Sequence, residues 1–198
     1  AEKGGYEHFM FKEIMEQPGA VKETIMSRIH DDEINLEGFD LSKEELQNIN
    51  KIIITACGSA YYAGCAGKYV IERLCKIPVS VELASELRYS DPLIDEHTLL
   101  IILSQSGETA DTLAAMKECK RQGAKTLAIV NVVGSTIAKT ADHVLYTWAG
   151  PEIAVATTKG YTTQLSLLYL LALHISKKTD RVSSSEYTRL ISKLQSIP

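Results

Sequence analysis

The sequence has few cysteines, and their spacing fits neither a metal site nor a redox pair. Its four cysteines form no CxxC motif and no zinc-like cluster with the five scattered histidines. Free cysteines of this kind behave as small buried hydrophobes in a reducing compartment. We therefore expect a cytoplasmic protein with no metal, no cofactor and no catalytic histidine. The cysteines are Cys57, Cys65, Cys75 and Cys119.

Long apolar runs and an excess of positive charge are also missing. The longest apolar stretch, residues 165–175, contains Ser166 and His174, whereas a helix that crosses a bilayer needs about 20 apolar residues. The net charge of -4 argues against nucleic-acid and membrane-surface partners, which require clustered Lys and Arg. A single small anion is not excluded, because backbone N–H groups at a helix N-terminus bind phosphate without basic side chains.

The body of the sequence alternates short β-branched runs with helical periodicity. Hydrophobic residues make up 45% of the 198 residues, which is enough for a compact core. Strands alternating with helices predict an α/β fold, a doubly wound five-stranded parallel sheet flanked by helices. The predicted strands are 52–55, 79–83, 98–103, 126–131 and 143–146, and the predicted helices are 61–75, 109–122, 135–141 and 157–176.

The two ends of the sequence differ from this body. Apolar residues between Tyr6 and Ile29 recur at helical spacing and are interrupted at Gln17-Pro18, which predicts an arm of two short helices. We divide the chain into a helical arm (1–40), a main domain (41–180) and a C-terminal helix (181–198). Because it begins without Met and ends without obvious closure, we expect a fragment of a longer protein.

Polar loops follow three of the predicted strands. In doubly wound sheets, ligands bind at the carboxyl ends of the strands, where helix N-termini point. The first loop is a Gly58 turn followed by Ser59 and Ala60. The third loop, residues 152–164, offers small residues and Thr157 to a sugar, and Lys159 to sugar oxygens or to a carboxylate. Simple helix capping remains an alternative for both loops.

The second loop carries the strongest signal. The loop has three hydroxyls and one amide directly before a predicted helix. These groups belong to Ser104, Gln105, Ser106 and Thr109. These groups, the backbone N–H groups and the helix dipole together suit the oxygens of a phosphate. The lysine of a P-loop is absent, so a phosphomonoester is favoured over a nucleoside triphosphate. Glu108 and Asp111 nearby suit the helix dipole better than an acid–base pair.

Five strings of residues resemble one enzyme family, the glutamine:fructose-6-phosphate amidotransferases, in order and spacing. The Ser-Gln-Ser-Gly loop is also shared more widely, by sugar isomerase (SIS) domains. The strings are Lys12-Glu13-Ile14 with Glu16-Gln17-Pro18, Ala56-Cys57-Gly58, Ala84 to Tyr89, SQSGETADTL at 104–113 and ATTKGYTTQ at 156–164.

The resemblance implies roles for particular residues. It implies that the second loop binds the sugar phosphate, that Ser59 and Ala60 lie beside it, and that Val155 and Thr157 lie near the carbonyl end of the sugar. The family usually has Thr-Ser at positions 59 and 60, so the hydroxyl normally present at position 60 is missing here. Position 157 is usually serine, and threonine keeps its hydroxyl.

The resemblance also implies an incomplete catalyst. Family members join a glutaminase domain to two SIS domains and make glucosamine 6-phosphate from fructose 6-phosphate and glutamine. This chain resembles the arm and the first SIS domain, whereas the acid–base residues belong to the second. We therefore expect binding without turnover, and a homodimer formed through the apolar helix around residues 165–173. The alternatives are a stand-alone sugar-phosphate sensor and a related SIS deglycase or isomerase.

Overall fold

The computed structural model describes residues 2–198. Nine helices and seven strands are found in this range. In chain order they are α1 (Phe9–Met15), α2 (Gln17–Met26), β1 (Ile29–His30), β2 (Glu33–Ile34), α3 (Lys43–Asn48), β3 (Lys51–Ala56), α4 (Ser59–Cys75), β4 (Val79–Leu83), α5 (Ala84–Leu87), β5 (Thr98–Ser104), α6 (Ala110–Arg121), β6 (Lys125–Val130), α7 (Thr136–Thr140), β7 (His143–Tyr146), α8 (Lys159–Lys178) and α9 (Ser184–Gln195).

Five of the strands form one parallel sheet in the order β4-β3-β5-β6-β7. The chain runs outward from β3 to β4 and then crosses back, so that β5 pairs with the other edge of β3. Ile54 of β3 therefore has Val81 on one side and Ile101 on the other. The order of connection reverses between β3 and β5, and ligands of doubly wound sheets bind at such a reversal.

Helices cover both faces of the sheet because successive side chains of a strand point to opposite sides. Ile52 and Ile54 join a core with α2, α4, α8 and α9. Ile53, between them, joins a second core with α5, α6 and α7. The strands are buried on both faces, so they are continuous apolar runs rather than alternating ones. The predicted α/β fold with its five-stranded parallel sheet is confirmed.

Three small elements were not predicted. The antiparallel pair β1 and β2 follows the arm, and its strands have two residues each. Helix α5 is a single turn after β4. Helix α3 begins with a capping box, in which Ser42 accepts from the backbone of Glu45 and the Glu45 carboxylate accepts from the backbone of Ser42. That signal, Ser-x-x-Glu, was readable in the sequence.

Helix α8 is the most deeply buried helix. Most of its side chains from Leu167 to Ile175 are inaccessible to solvent, and they pack mainly against α4 and α2. Most of the apolar surface that suggested a homodimer is therefore covered within this chain, and the homodimer stays a prediction. None of the helices in residues 2–198 combines the length and apolar character needed to cross a bilayer.

The arm is fastened to the main domain by buried polar contacts as well as by apolar packing. The Thr24 hydroxyl of α2 donates to the Thr147 carbonyl at 2.6 Å. The Arg28 guanidinium donates to the carbonyls of Thr24 and Tyr146, and burial lowers its pKa to about 10. Both links reach the end of β7, so the arm has one fixed position on the domain.

Gly67 allows the close packing of α4 on α8. A Cβ atom at this position would lie 2.5 Å from Leu168 Cδ1 and 3.1 Å from Leu168 Cβ. Overpacking of this kind costs about 1–3 kcal/mol, and the better helix propensity of alanine offsets up to about 1 kcal/mol. We expect Gly67→Ala to lower the free energy of unfolding by about 1–2 kcal/mol in urea titrations.

Gly19 of α2 provides the matched control. It is helical, and a Cβ there would meet no atom within 4 Å. Gly19→Ala should therefore leave stability unchanged or raise it by up to about 1 kcal/mol. Equal effects of the two substitutions would show that α4 and α8 have room between them.

Candidate functional site

A cavity of about 200 Å³ lies at the carboxyl ends of β3 and β5. Seven of the eight predicted site residues line it. Val155 is the exception, because its side chain is fully exposed and is not part of the lining. The lining residues are Cys57, Gly58, Ser59, Ala60, Leu103, Ser104, Gln105, Ser106, Thr109, Thr157 and Gln164.

The first wall of the cavity is the turn between β3 and α4. Gly58 has φ 59° and ψ -140°, a conformation that residues with a Cβ rarely adopt. This turn brings Ser59 and Ala60 onto the cavity as the first residues of α4. Behind the turn, the Thr112 hydroxyl of α6 donates to Cys57 Sγ at 3.6 Å. The turn is therefore held against the start of α6.

The second wall is the loop between β5 and α6, which is closed by its own hydroxyls. Ser104 Oγ accepts from the Gly107 N–H at 3.0 Å and lies 3.1 Å from Thr109 Oγ1. Ser106 Oγ accepts from the Glu108 N–H at 3.2 Å. Thr109 occupies the N-cap position of α6 but makes no capping hydrogen bond. Simple capping therefore does not account for its hydroxyl.

The outer side of this loop is anchored to the next strand and helix. The Gln105 carbonyl accepts from the Asn131 N–H at 3.1 Å, and the Gly107 carbonyl accepts from the Ile137 N–H at 3.0 Å. Glu108 Oε1 accepts from the Thr136 N–H at 2.7 Å. This interaction with Thr136 holds the pKa of Glu108 below its usual value. The loop is thus fixed before any ligand binds.

Glu108 and Asp111 do not form a carboxylate pair. Glu108 caps α7, as described, whereas Asp111 Oδ1 lies 2.6 Å from Arg88 Nη1. Neither residue lines the cavity. Their separate partners agree with structural roles at helix ends.

The third wall is the loop that leads into α8, and Glu152 organises it. Glu152 Oε1 accepts from the backbone N–H groups of Thr158 (2.9 Å) and Gly160 (3.1 Å). Its other oxygen accepts from the Thr157 hydroxyl. Glu152 therefore caps α8 and fixes the Thr157 side chain at the cavity.

Lys159 settles one of the alternatives left by the sequence. Its ammonium lies 2.7 Å from Glu16 Oε2 of the arm, and its side chain is only 4% exposed. The interaction with Lys159 lowers the pKa of Glu16. Lys159 thus pairs with a carboxylate and does not line the cavity.

Gln164 is a lining residue that was not among the predicted ones. It lies in α8, one turn beyond Gly160, and its side chain is almost completely buried. Its amide makes no side-chain hydrogen bond to the described residues 2–198. The available signal was a polar residue at the end of the third loop, directly before the apolar stretch 165–175.

A larger groove of about 710 Å³ lies along edge strand β7. Its walls carry charges of both signs, including Arg28, Asp40 and Asp142, and it is not at the reversal of strand order. We therefore take the smaller cavity as the candidate site. Among residues 2–198, no three His, Cys, Asp or Glu side chains are grouped to hold a metal ion.

Comparison with known proteins identifies the family of the chain. The SIS domain family model matches residues 45–174. The chain belongs to the SIS domain family. The Ser-Gln-Ser-Gly loop and both neighbouring walls fall inside the matched SIS region.

Similar proteins extend the likeness to the whole chain. The chain is 57% identical to the glutamine–fructose-6-phosphate aminotransferase (isomerizing) of Caldanaerobacter subterraneus subsp. tengcongensis and 55% identical to that of Clostridium tetani. Both matches cover 100% of this chain and 33% of the relative. The chain therefore spans about a third of the length of these curated relatives.

A solved structure shows the same architecture. The C-terminal domain of glucosamine-fructose-6-phosphate aminotransferase from Francisella tularensis matches with a TM-score of 0.93 and 41% identity. The match covers 98% of this chain and 55% of that one. The resemblance in the sequence motifs is confirmed as similarity to an SIS-containing region of these aminotransferases.

The backbone conformation of the second loop requires a glycine at position 107. It has φ +68°, and a Cβ there would lie 2.0 Å from Ser135 Oγ. Backbone strain of roughly 1–2 kcal/mol and a collision of about 1–3 kcal/mol add together. We expect Gly107→Ala to cost about 2–5 kcal/mol of unfolding free energy.

Two further variants separate these causes. Gly134→Ala shares the positive φ, but the nearest atom to its Cβ would be 3.9 Å away, so it should cost only the strain. Adding Ser135→Gly to Gly107→Ala should restore part of the loss. If the double variant is no more stable than Gly107→Ala, the collision with Ser135 is not the cause.

Proposed function

We propose that this SIS domain binds the phosphate and the sugar of fructose 6-phosphate and glucosamine 6-phosphate. The observation that carries the proposal is the cavity at the reversal of strand order, whose lining is made of hydroxyls, amides and small groups. The similar aminotransferases are named for fructose 6-phosphate, and the cavity has the chemistry to hold such a ligand.

The phosphate end lies at the second loop. Ser104, Ser106 and Thr109 bring three hydroxyls to one side of the cavity, and Gln105 adds an amide. They surround the N-terminus of α6, a 12-residue helix, whose dipole and free N–H groups favour an anion. A phosphomonoester dianion therefore needs no lysine here.

The sugar end lies between the first and third loops. Ser59 and Thr157 offer hydroxyls, and Gln164 offers an amide at the cavity wall. Hydroxyl and amide groups of this kind can donate to and accept from the hydroxyls of a sugar. Ala60 supplies only its backbone and a methyl group, and the roles of Ala60 and of Val155 near the sugar carbonyl remain predictions.

Isomerisation and amination require more than this lining offers. Proton transfer between C1 and C2 needs general acids and bases with suitable pKa values, and hydroxyl and amide groups at neutral pH do not supply them. We infer that the chain corresponds to the first SIS domain of an aminotransferase whose glutaminase and second SIS domains provide ammonia and proton transfer. Cytoplasmic location and a homodimer also remain predictions.

Loss of hydroxyls from the second loop should weaken binding. A hydrogen bond to a charged group contributes about 1.5–3 kcal/mol, which corresponds to roughly 10- to 100-fold in affinity. We expect Ser106→Ala and Thr109→Val each to raise the Kd for glucosamine 6-phosphate by that factor in calorimetric titrations. Ser185→Ala, an exposed hydroxyl in α9, is the matched control, and unchanged binding in both loop variants would refute the assignment.

The chain by itself should not catalyse isomerisation. With fructose 6-phosphate in excess, a coupled assay for glucose 6-phosphate should show no rate above the protein-free background, because proton transfer lacks its acid and base. The same sample should still bind glucosamine 6-phosphate. A measurable turnover would show that this domain carries its own catalytic groups.

A further inference from the structure

Helix α1 of the arm has an unusual mode of attachment. Four of its apolar side chains, those of Met10, Phe11, Ile14 and Met15, are between 39% and 55% exposed. Its only buried residue is Glu13, which is 2% exposed. Glutamate is almost never buried unless it is paired. The burial of Glu13 therefore depends on the contact that its carboxylate makes.

Glu13 holds the backbone of the third loop. One carboxylate oxygen accepts from two consecutive N–H groups, those of Ile153 (2.6 Å) and Ala154 (3.1 Å). The other oxygen is buried and has no partner among residues 2–198. The loop segment held in this way lies directly after Glu152.

Glu16, one turn further along the arm, holds the other end of the same loop. It pairs with Lys159, whose buried ammonium would otherwise be unpaired at the start of α8. Removing one partner of a buried ion pair strongly destabilises the folded protein, because the other charge is left buried and unpaired. The arm therefore clamps the loop at residues 153–154 and at residue 159.

The clamped segment contains the side chain that reaches the cavity. Between the two anchor points, Thr157 lines the cavity while its hydroxyl donates to Glu152. Glu152 also caps the backbone of Gly160, where a Cβ would lie 2.6 Å from Glu152 Oε2. A shift of the segment would therefore move the Thr157 side chain.

The phosphate end is anchored independently of the arm. The loop from Ser104 to Thr109 is closed by its own hydroxyls and by contacts with Asn131, Thr136 and Ile137. Neither Glu13 nor Glu16 takes part in these contacts. The two ends of the site thus depend on different parts of the fold.

We propose that Glu13 and Glu16 are positioning residues that set the affinity for the sugar part of the ligand but not for its phosphate. This inference rests on the proposed function of the same cavity. According to this proposal the N-terminal arm contributes to sugar binding, although neither carboxylate lines the cavity. The arm acts through the loop, by fixing where Thr157 stands.

The test compares two probes on one set of variants of this chain, using NMR titration so that millimolar affinities can be measured. In Glu13→Ala, the Kd for glucosamine 6-phosphate should rise about tenfold, because two partly buried N–H groups lose the acceptor that holds the loop. The Kd for inorganic phosphate should change less than about twofold. Glu13→Gln keeps an acceptor oxygen and should recover part of the sugar affinity.

Glu7→Ala is the matched control, since it removes an exposed carboxylate just before α1 and should leave both affinities unchanged. Glu16→Ala should repeat the pattern of Glu13→Ala, and it decides the question if Glu13→Ala does not fold. Equal losses for both probes, or no loss for glucosamine 6-phosphate, would overturn the inference alone. Failure of the unaltered chain to bind glucosamine 6-phosphate would overturn the proposed function and, with it, this inference.

Discussion

The side-by-side pairing of β3 and β5 is the constraint on which the candidate site depends. The two strands run parallel and in register, from Lys51 opposite Thr98 to Ala56 opposite Leu103. Their carboxyl ends therefore meet, and the loops that follow them face the same cavity. The helices that follow β3 and β5 lie on opposite faces of the sheet, and a crevice is expected between the loops at such a reversal.

Charge is used differently at the cavity and around it. The lining is made of neutral donors, which suit a small anion at a helix N-terminus without the desolvation cost of a buried lysine. The charged groups lie behind the lining residues, where Glu152 caps α8 and Glu16 pairs with Lys159. They determine the shape of the third loop rather than contacting the cavity, and Glu13 joins them from the arm.

Much of the fold was predictable because the signals were local. The five core strands are continuous apolar runs, and their bounds in the structure differ from the predicted ones by no more than one residue at either end. The second loop was also predictable, since its four polar residues lie within six positions of sequence. Gln164 was missed because a glutamine in an apolar helix gives no sign of which way its side chain faces.

The sequence by itself determined the class of fold, the three loops that form the site and the neutral chemistry of the second loop. Those properties depend on residue type and short-range periodicity, which a linear sequence displays directly. Tertiary structure alone decided that Lys159 pairs with Glu16, that Glu13 holds residues 153–154, and that α8 is covered from within the chain. These contacts join positions about 100 to 140 residues apart, and only the packing of the arm and α4 against α8 brings such positions together.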